Sequence, residues 1–333
     1  MISKRQDIPR LLSFLRSADR SGYVSGQSLA AQAGISRSAV WKQIRKLRDY
    51  GYGIDSIQGL GYRLVTETQD PVPWELKRIL KTSYVGSEVV YLPIADSTQS
   101  TALTIANKTD DANGTVVIAD RQKSGRGRLK RKWVSPSGGL WFSVLLRPRI
   151  PTSSITLLPF VAALAVREGI AKSTGLDTRL KWPNDVMISG KKVGGILLDV
   201  SAEAEAVNYA VIGIGINANV DMTEIRSKIP DVQEITSLKS ELGHEVSRLE
   251  LIRRVLESLE YFLALLIRKG AYEVISAWKN HSDMLGRRIT ILQNDKPIHN
   301  GRALDLGDEG SLIVKIDSGK TIAVTSGDVR LRY

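Results

Sequence analysis

Arg121-Gln-Lys-Ser-Gly-Arg-Gly-Arg-Leu-Lys-Arg-Lys-Trp133 holds seven basic residues and no acid. It follows directly on the apolar run 116–119, whose composition and length predict a strand. Gly125 and Gly127 permit backbone shapes that bring amides close to a ligand. Arg126, Arg128 and Arg131 supply planar donor forks that match carboxylate and phosphate oxygens. Taken by itself, the loop is equally an RNA-binding element or a solvated charged turn, so its surroundings decide.

Three further segments place polar groups where a sheet-based site would collect them. Lys181-Trp-Pro-Asn-Asp185 follows a predicted helix, Lys191-Lys-Val-Gly-Gly195 leads into an apolar strand, and Gly213-Ile-Gly-Ile-Asn217 ends the next one. Alone, a Gly-x-Gly pair signifies close strand packing and a lysine before two glycines signifies a solvated turn. Around them, strands are predicted at 116–119, 140–146, 194–200 and 211–216, and helices at 74–81, 98–107, 153–174, 248–268 and 271–281. This pattern predicts an α+β domain with one mixed sheet and helices on one face. From Met284 onward only strand patterning remains, at 288–292, 301–306, 312–316 and 321–324. Turns at Asn294-Asp295, 307–310 and 317–319 break it, as in a small SH3-like β-barrel.

Upstream, residues 1–66 hold eleven Lys or Arg against four Asp, which is +7 of a chain total of +12. So concentrated a positive field suits a polyanion, because neutralised phosphates release condensed counterions. Ile8, Leu11, Leu12 and Leu15 form one helical face. Ser25 and Gly34 bracket a short helix, and Ser36 caps another that runs to about Tyr50. Two helices joined through Ala33-Gly34-Ile35 predict a helix-turn-helix, between about Gly26 and Arg45, with Arg37, Ser38, Lys42 and Arg45 directed at DNA. The runs 54–57 and 62–65 flank Gln58-Gly-Leu-Gly61 and predict a wing hairpin. The competing interpretation is a helical module that only packs on its neighbour. A polar stretch at 66–73 reads as a linker, giving domains at 1–66, 67–283 and 284–333.

No cysteine is present, which excludes disulfides and thiolate metal sites, and His244, His281 and His299 lack ligand spacing. The start of the chain (Lys4, Arg5, Asp7) has no signal-peptide core, and no apolar run reaches the roughly 18 residues of a membrane span. A cytoplasmic protein without a membrane partner is expected.

The four segments in this order, with Asp96-Ser-Thr98 upstream, closely resemble the biotin protein ligase family, and the N-terminal unit resembles its bifunctional biotin operon repressors. The resemblance implies that biotin and ATP, with Mg²⁺, form biotinyl-5′-AMP and pyrophosphate, and that biotin then passes to a lysine of a carboxylase biotin-carrier domain. It implies that Ser97, Thr98, Gln99 and Gln122 hold the ureido ring, with Gly195 and Gly215 beside them. Arg126, Gly127 and Arg128 close over the valeryl chain and phosphate, and Lys192 bridges carboxylate and α-phosphate. Arg131, Trp133, Asn184 and Asn217 fall on the nucleotide side. Trp133 is equally a core aromatic, Asp185 either deprotonates or orients the incoming amine or is a turn carboxylate, and Lys181 ranks below these. No protein ligand for Mg²⁺ is assigned. The adenylate is expected to act as corepressor by ordering loops 121–132 and 217–230, completing a homodimer that meets a palindromic operator. The alternatives are a ligase with a non-repressing N-terminal domain, a lipoate-type ligase, and a ligand-sensing transcription factor without ligase activity.

Overall fold

A computed structural model of the chain describes residues 7–18, 22–203, 206–228, 235–293 and 296–331, to which all counts refer. The predicted Asn294-Asp295 turn, Lys4, Arg5 and the end of the 217–230 loop lie outside the described residues. The chain divides into two compact units, Met1–Glu75 and Leu76–Tyr333.

In the first unit, α1 (Asp7–Ser17) buries Ile8, Leu11, Leu12 and Leu15. Helix α2 (Gly26–Ala33) starts where the Ser25 hydroxyl accepts the Ser28 N–H, and ends at Gly34 with φ 70°. Helix α3 (Arg37–Asp49) starts the same way, Ser36 accepting the Ala39 N–H, and buries Val40, Ile44 and Leu47. Strands β1 (Gly53–Ile57) and β2 (Gly61–Thr66) pair antiparallel as the wing. Gly61 is required at its base: φ is 118°, and a Cβ there would sit 2.0 Å from the Val24 carbonyl oxygen, which accepts the Tyr62 N–H. We expect Gly61→Ala to strain this joint by about 2 kcal/mol and to accelerate amide exchange across 53–66 roughly 30-fold, as read by exchange mass spectrometry. Unchanged exchange would show that the joint tolerates a methyl.

The stretch predicted as a linker, 66–73, is an ordered part of the first unit. Thr68 is buried and its hydroxyl donates to the Tyr50 carbonyl at 2.5 Å. Glu75, 1% exposed, accepts from the Tyr52 hydroxyl at 2.5 Å and pairs with Arg16, while the Trp74 indole N–H donates to Tyr52 at 2.7 Å. Burial, then the hydrogen bond to Glu75, pushes the Tyr52 phenol far above its ordinary value.

Helix α4 (Pro73–Ile79) spans the division. The second unit contains β3 (Val89–Ala95), α5 (Thr98–Ala106), β4 (Val116–Gln122), β5 (Leu140–Leu146), α6 (Leu158–Thr174), β6 (Arg179–Lys181), β7 (Asp185–Ile188), β8 (Lys191–Glu203) and β9 (Ala206–Ile216). It continues through α7 (Met222–Lys228), α8 (Leu238–Leu242), α9 (Arg248–Lys269) and α10 (Ala271–Asn280) to β10 (Arg288–Gln293), β11 (Lys296–Leu306), β12 (Leu312–Ile316), β13 (Thr321–Val324) and β14 (Asp328–Leu331). A seven-stranded sheet runs β3-β4-β5-β9-β8-β7-β6, with β3 and β4 parallel and every other pair antiparallel.

Strand alternation sorts the core into two layers. Val116, Ile118, Val144, Ile212 and Ile214 point into the large cluster that includes α6 and α9. Val117, Leu145 and Val211 point the other way, against Ala102 and Ala106 of α5. Helix α5 is thus the exception to one-sided covering, and its position locates the cavity described below. By length and mean composition the segment Thr152–Thr174 would suffice to cross a membrane, although it holds no uninterrupted apolar run of 18 residues. Most of it is α6, with ten buried residues packed in the core. Among the described residues it is the one helix of that length and composition. The C-terminal portion is a five-stranded antiparallel sheet, β13-β12-β11-β10-β14, in which β14 was not anticipated from the sequence.

Candidate functional site

Helix α5 begins at Ser97, whose hydroxyl accepts the Ser100 N–H, so Ser97, Thr98 and Gln99 sit at the helix entrance and are almost fully buried. Across the sheet, Ser143 of β5 pairs with Gly213 of β9, which pairs with Leu197 of β8; one step along, Trp141, Gly215 and Gly195 align. A Cβ on Gly213 would stand 2.5 Å from Gln99 Oε1, and one on Gly215 would stand 2.7 Å from Trp133 Nε1. Bare backbone at these positions leaves room for side chains to converge above the sheet. The space is a cavity of about 880 Å³, large enough for a ligand beyond vitamin size.

One end of the cavity is a neutral hydrogen-bonding relay. Gln122 Oε1 accepts from the Thr98 backbone N–H at 2.9 Å and from its hydroxyl at 3.2 Å, while Gln122 Nε2 donates to Ser135 at 2.8 Å. The Thr98 and Ser143 hydroxyls are 2.9 Å apart, and Ser143 donates to Gln99 Oε1 at 2.9 Å. Two hydroxyl protons therefore serve three oxygen contacts, so one contact is always short of a proton. A neutral ligand that donates and accepts can complete the set.

The other end is cationic. Lys192 Nζ lies 2.5 Å from Asp185 Oδ1 and 5.1 Å from the centre of the Trp133 ring. Arg128 donates to Asn184 Oδ1, Asp328 Oδ1 and the Gly327 carbonyl, each at 3.2 Å. Arg131 pairs with Asp328 Oδ2 at 2.6 Å, and Arg126 with Asp199 Oδ2 at 3.3 Å. These cations stand ready for anions but are held by carboxylates when no ligand competes. At the loop tip, Leu129 and Lys130 take φ of 53° and 61°, where a side chain is strained.

Every residue singled out from the sequence as a ligand or catalytic candidate lines this one cavity: Ser97, Thr98, Gln99, Gln122, Arg126, Gly127, Arg128, Arg131, Trp133, Asn184, Asp185, Lys192, Gly195, Gly215 and Asn217, with Lys181 beside them. The arginine-bearing turn and Lys192 converge. Two segments have neighbouring elements that the sequence did not predict. Lys181–Asp185 lies in the β6–β7 hairpin. The 217–230 loop contains α7, from which Lys228 reaches the cavity. Asn217 is committed to structure, its Nδ2 donating to the Thr236 carbonyl at 2.9 Å. The Trp133 indole N–H is buried without an acceptor among the described residues, so a ligand oxygen or nitrogen would relieve it.

Ser135, Ser143, Asp199 and Asp328 escaped the sequence. Ser143 did leave a signal, as the lone polar residue in Leu140–Leu146. Asp199 sits likewise after Ile196-Leu-Leu198. Asp328 left none, because its partner Arg128 is 200 positions away. Among the described residues no group of three His, Asp or Glu is arranged to hold a metal.

Residues 91–217 match the biotin/lipoate A/B protein ligase family, 10–63 match a helix-turn-helix domain, and 284–332 match the biotin protein ligase C-terminal domain. The bifunctional ligase/repressor BirA of Bacillus spizizenii is 34% identical over 98% of this chain and 99% of its own length. That of Bacillus subtilis is 35% identical over 93% and 94%. Among solved structures, the biotin protein ligase of Aquifex aeolicus in complex with biotin and ATP is similar with a TM-score of 0.62 at 31% identity, covering 74% of this chain and 99% of that one. A winged helix-turn-helix joined to a ligase core and a C-terminal sheet is thus the class of protein, and the chain belongs to the family of bifunctional biotin protein ligases and repressors.

Proposed function

We propose that the chain is an ATP-dependent biotin protein ligase and a DNA-binding repressor of biotin genes. The observation that carries the ligase reading is the convergence of a neutral donor–acceptor relay (Thr98, Gln99, Gln122, Ser143) and a cationic loop (Arg126, Arg128, Arg131, with Lys192) in one cavity. A ureido ring fits the relay, since it offers two N–H donors and one carbonyl. A carboxylate and a triphosphate fit the cations.

In the first step a biotin carboxylate oxygen attacks the α-phosphorus and pyrophosphate leaves. In the second, the carrier lysine amine attacks the carbonyl of the mixed anhydride and AMP leaves. Both steps need anions brought together or charge stabilised in the transition state, which fixed cations and amides supply without a nucleophilic side chain. Lys192 bridges carboxylate and α-phosphate, Arg126 and Arg128 cover the reacting centre, and Arg131 and Asn184 face the nucleotide. Asp185 positions Lys192 before the substrates arrive. Trp133 offers its ring face to adenine, and Asn217 holds the wall behind the nucleotide. Mg²⁺, to which no protein ligand is assigned, would supply charge neutralisation at the phosphates of ATP. Arg37, Ser38, Lys42 and Arg45 contact operator DNA, and biotinyl-5′-AMP promotes a homodimer whose paired helix-turn-helix units fit a palindrome. We place both activities in the cytoplasm, where ATP, carboxylase and operator meet.

Mass spectrometry of a biotin-carrier domain after incubation with the protein, ATP and either biotin or lipoate tests the reading. We expect one biotinyl group on one lysine; transfer of lipoate, or of neither, refutes it. A titration of operator duplex with and without biotin plus ATP tests repression, and unchanged affinity overturns the corepressor role.

Asp199 links the two ends of the cavity, accepting from Gln99 Nε2 at 3.1 Å and pairing with Arg126. Asp199→Ala is expected to raise KM for biotin by about tenfold, equivalent to one lost charge-assisted hydrogen bond, with melting temperature unchanged. A KM within twofold of wild type removes Asp199 from the site.

A further inference from the structure

Trp41 is the one tryptophan of six that is exposed; the other five are buried or half-buried. It leaves half of its surface in solvent, on the flank of the helix beside the stripe that buries Val40, Ile44 and Leu47. Arg37 and Arg45 lie one turn before and after it, so the three side chains share a ridge of α3. The Arg45 guanidinium stands 4.9 Å from the centre of the indole ring, a cation–π contact that fixes both groups. Lys42 and Ser38 lie on the adjoining ridge and are also exposed. Arg48, in contrast, is turned aside and donates to the Ile54 carbonyl at the wing. Even with the Arg45 guanidinium over it, the indole keeps half of its surface free for a partner.

We propose that Trp41 reads sequence, its indole face resting on the C5-methyl group of a thymine in the major groove. This deepens the operator-binding reading and rests on it. The arrangement matches the groove: cations at its margins meet phosphates, while the floor presents base edges, where thymine offers the apolar group. An α-helix with side chains is about 10–12 Å across and the groove about 12 Å wide, so the exposed ridge reaches the floor. Arg45, stacked on Trp41, is then pre-aimed at the neighbouring base pair. A protein partner would have to be acidic and present an apolar socket between carboxylates, a narrower requirement than duplex DNA meets.

The test uses the full chain with biotin and ATP. Duplexes are selected from a random library by the wild-type protein, and each thymine of the tightest one is replaced singly by uracil, which removes only the methyl. We expect uracil at one position per half-site to weaken wild-type binding roughly fourfold, the worth of one buried methyl. We expect Trp41→Ala to bind about tenfold more weakly and to show no uracil penalty at that position. Trp41→Phe should restore part of both. Carrier biotinylation and amide protection of α3 should match wild type in both variants, which rules out misfolding. A wild-type protein indifferent to uracil overturns the proposal, as does a penalty that persists in Trp41→Ala or a loss equal on all duplexes, the mark of a phosphate contact. If no duplex is selected while the carrier is still biotinylated, the operator-binding reading falls and this proposal with it.

Discussion

We expect Lys192→Met to lower the rate of pyrophosphate release from biotin and ATP by about 10²–10³-fold, the usual consequence of deleting one pre-positioned charge at a developing anion. The substitution keeps the length of the stem but removes the ammonium that lies 2.5 Å from Asp185 Oδ1. The loss is expected on kcat and kcat/KM together, because in the proposed mechanism the ammonium acts where carboxylate oxygen and phosphorus approach, not where the ureido ring binds. Lys192→Arg keeps the charge but spreads it over a planar fork, and recovers only part of the rate. Equilibrium binding of biotin stays within a few-fold of wild type, since the relay of Thr98, Gln99, Gln122 and Ser143 is untouched. A rate within threefold of wild type would remove Lys192 from the chemistry and leave the cationic wall as a passive lining.

We expect Arg16→Met to destabilise the first unit by about 3 kcal/mol, the lower part of the range for stranding one partner of a buried ion pair. Its partner Glu75 has a side chain 2% exposed, while Arg16 itself is 27% exposed and shared with Glu67, which moderates the loss. The hydrogen bonds to Glu67 and then to Glu75 hold the Arg16 guanidinium well above its ordinary value, against the opposing effect of burial. Amide protection in α1 and α3 falls roughly 100-fold, the equivalent of that energy, and operator affinity falls with it, while carrier biotinylation proceeds at the wild-type rate. Adding Glu75→Gln is expected to recover much of the protection, because it removes the stranded charge while keeping an acceptor for the Tyr52 hydroxyl. Unchanged exchange in the single variant would show that Glu75 is satisfied without Arg16. The raised Tyr52 phenol adds a pH signature. The folded form holds that proton where the unfolded chain has released it, so stability is complete below about pH 10, the ordinary tyrosine value, and declines as pH rises beyond it.

Much of this architecture was legible in local sequence because its causes are local. Helix caps at Ser25, Gly34 and Ser36 act over three or four residues, and hydrophobic alternation in 140–146 and 211–216 records which side of a strand is buried. The short strands β6 and β7 were lost because three or four residues carry too little periodicity. The linker was misjudged because polar residues 66–73 satisfy their backbone through Thr68 and Tyr50, a contact across 18 positions.

From composition and motif alone, the chain declares a basic helix-turn-helix, an arginine-bearing glycine loop and the residue types that a ligase site requires. Folding decides which carboxylate restrains which cation: Asp328 on Arg128 and Arg131, Asp199 on Arg126, Asp185 on Lys192. It also decides that Gly213 and Gly215 clear the sheet surface beneath Gln99 and Trp133. The division follows from range. Turns and caps are set by neighbours along the backbone, whereas charge pairing and cavity shape depend on groups up to 200 residues apart, which only a packed sheet brings within hydrogen-bonding distance.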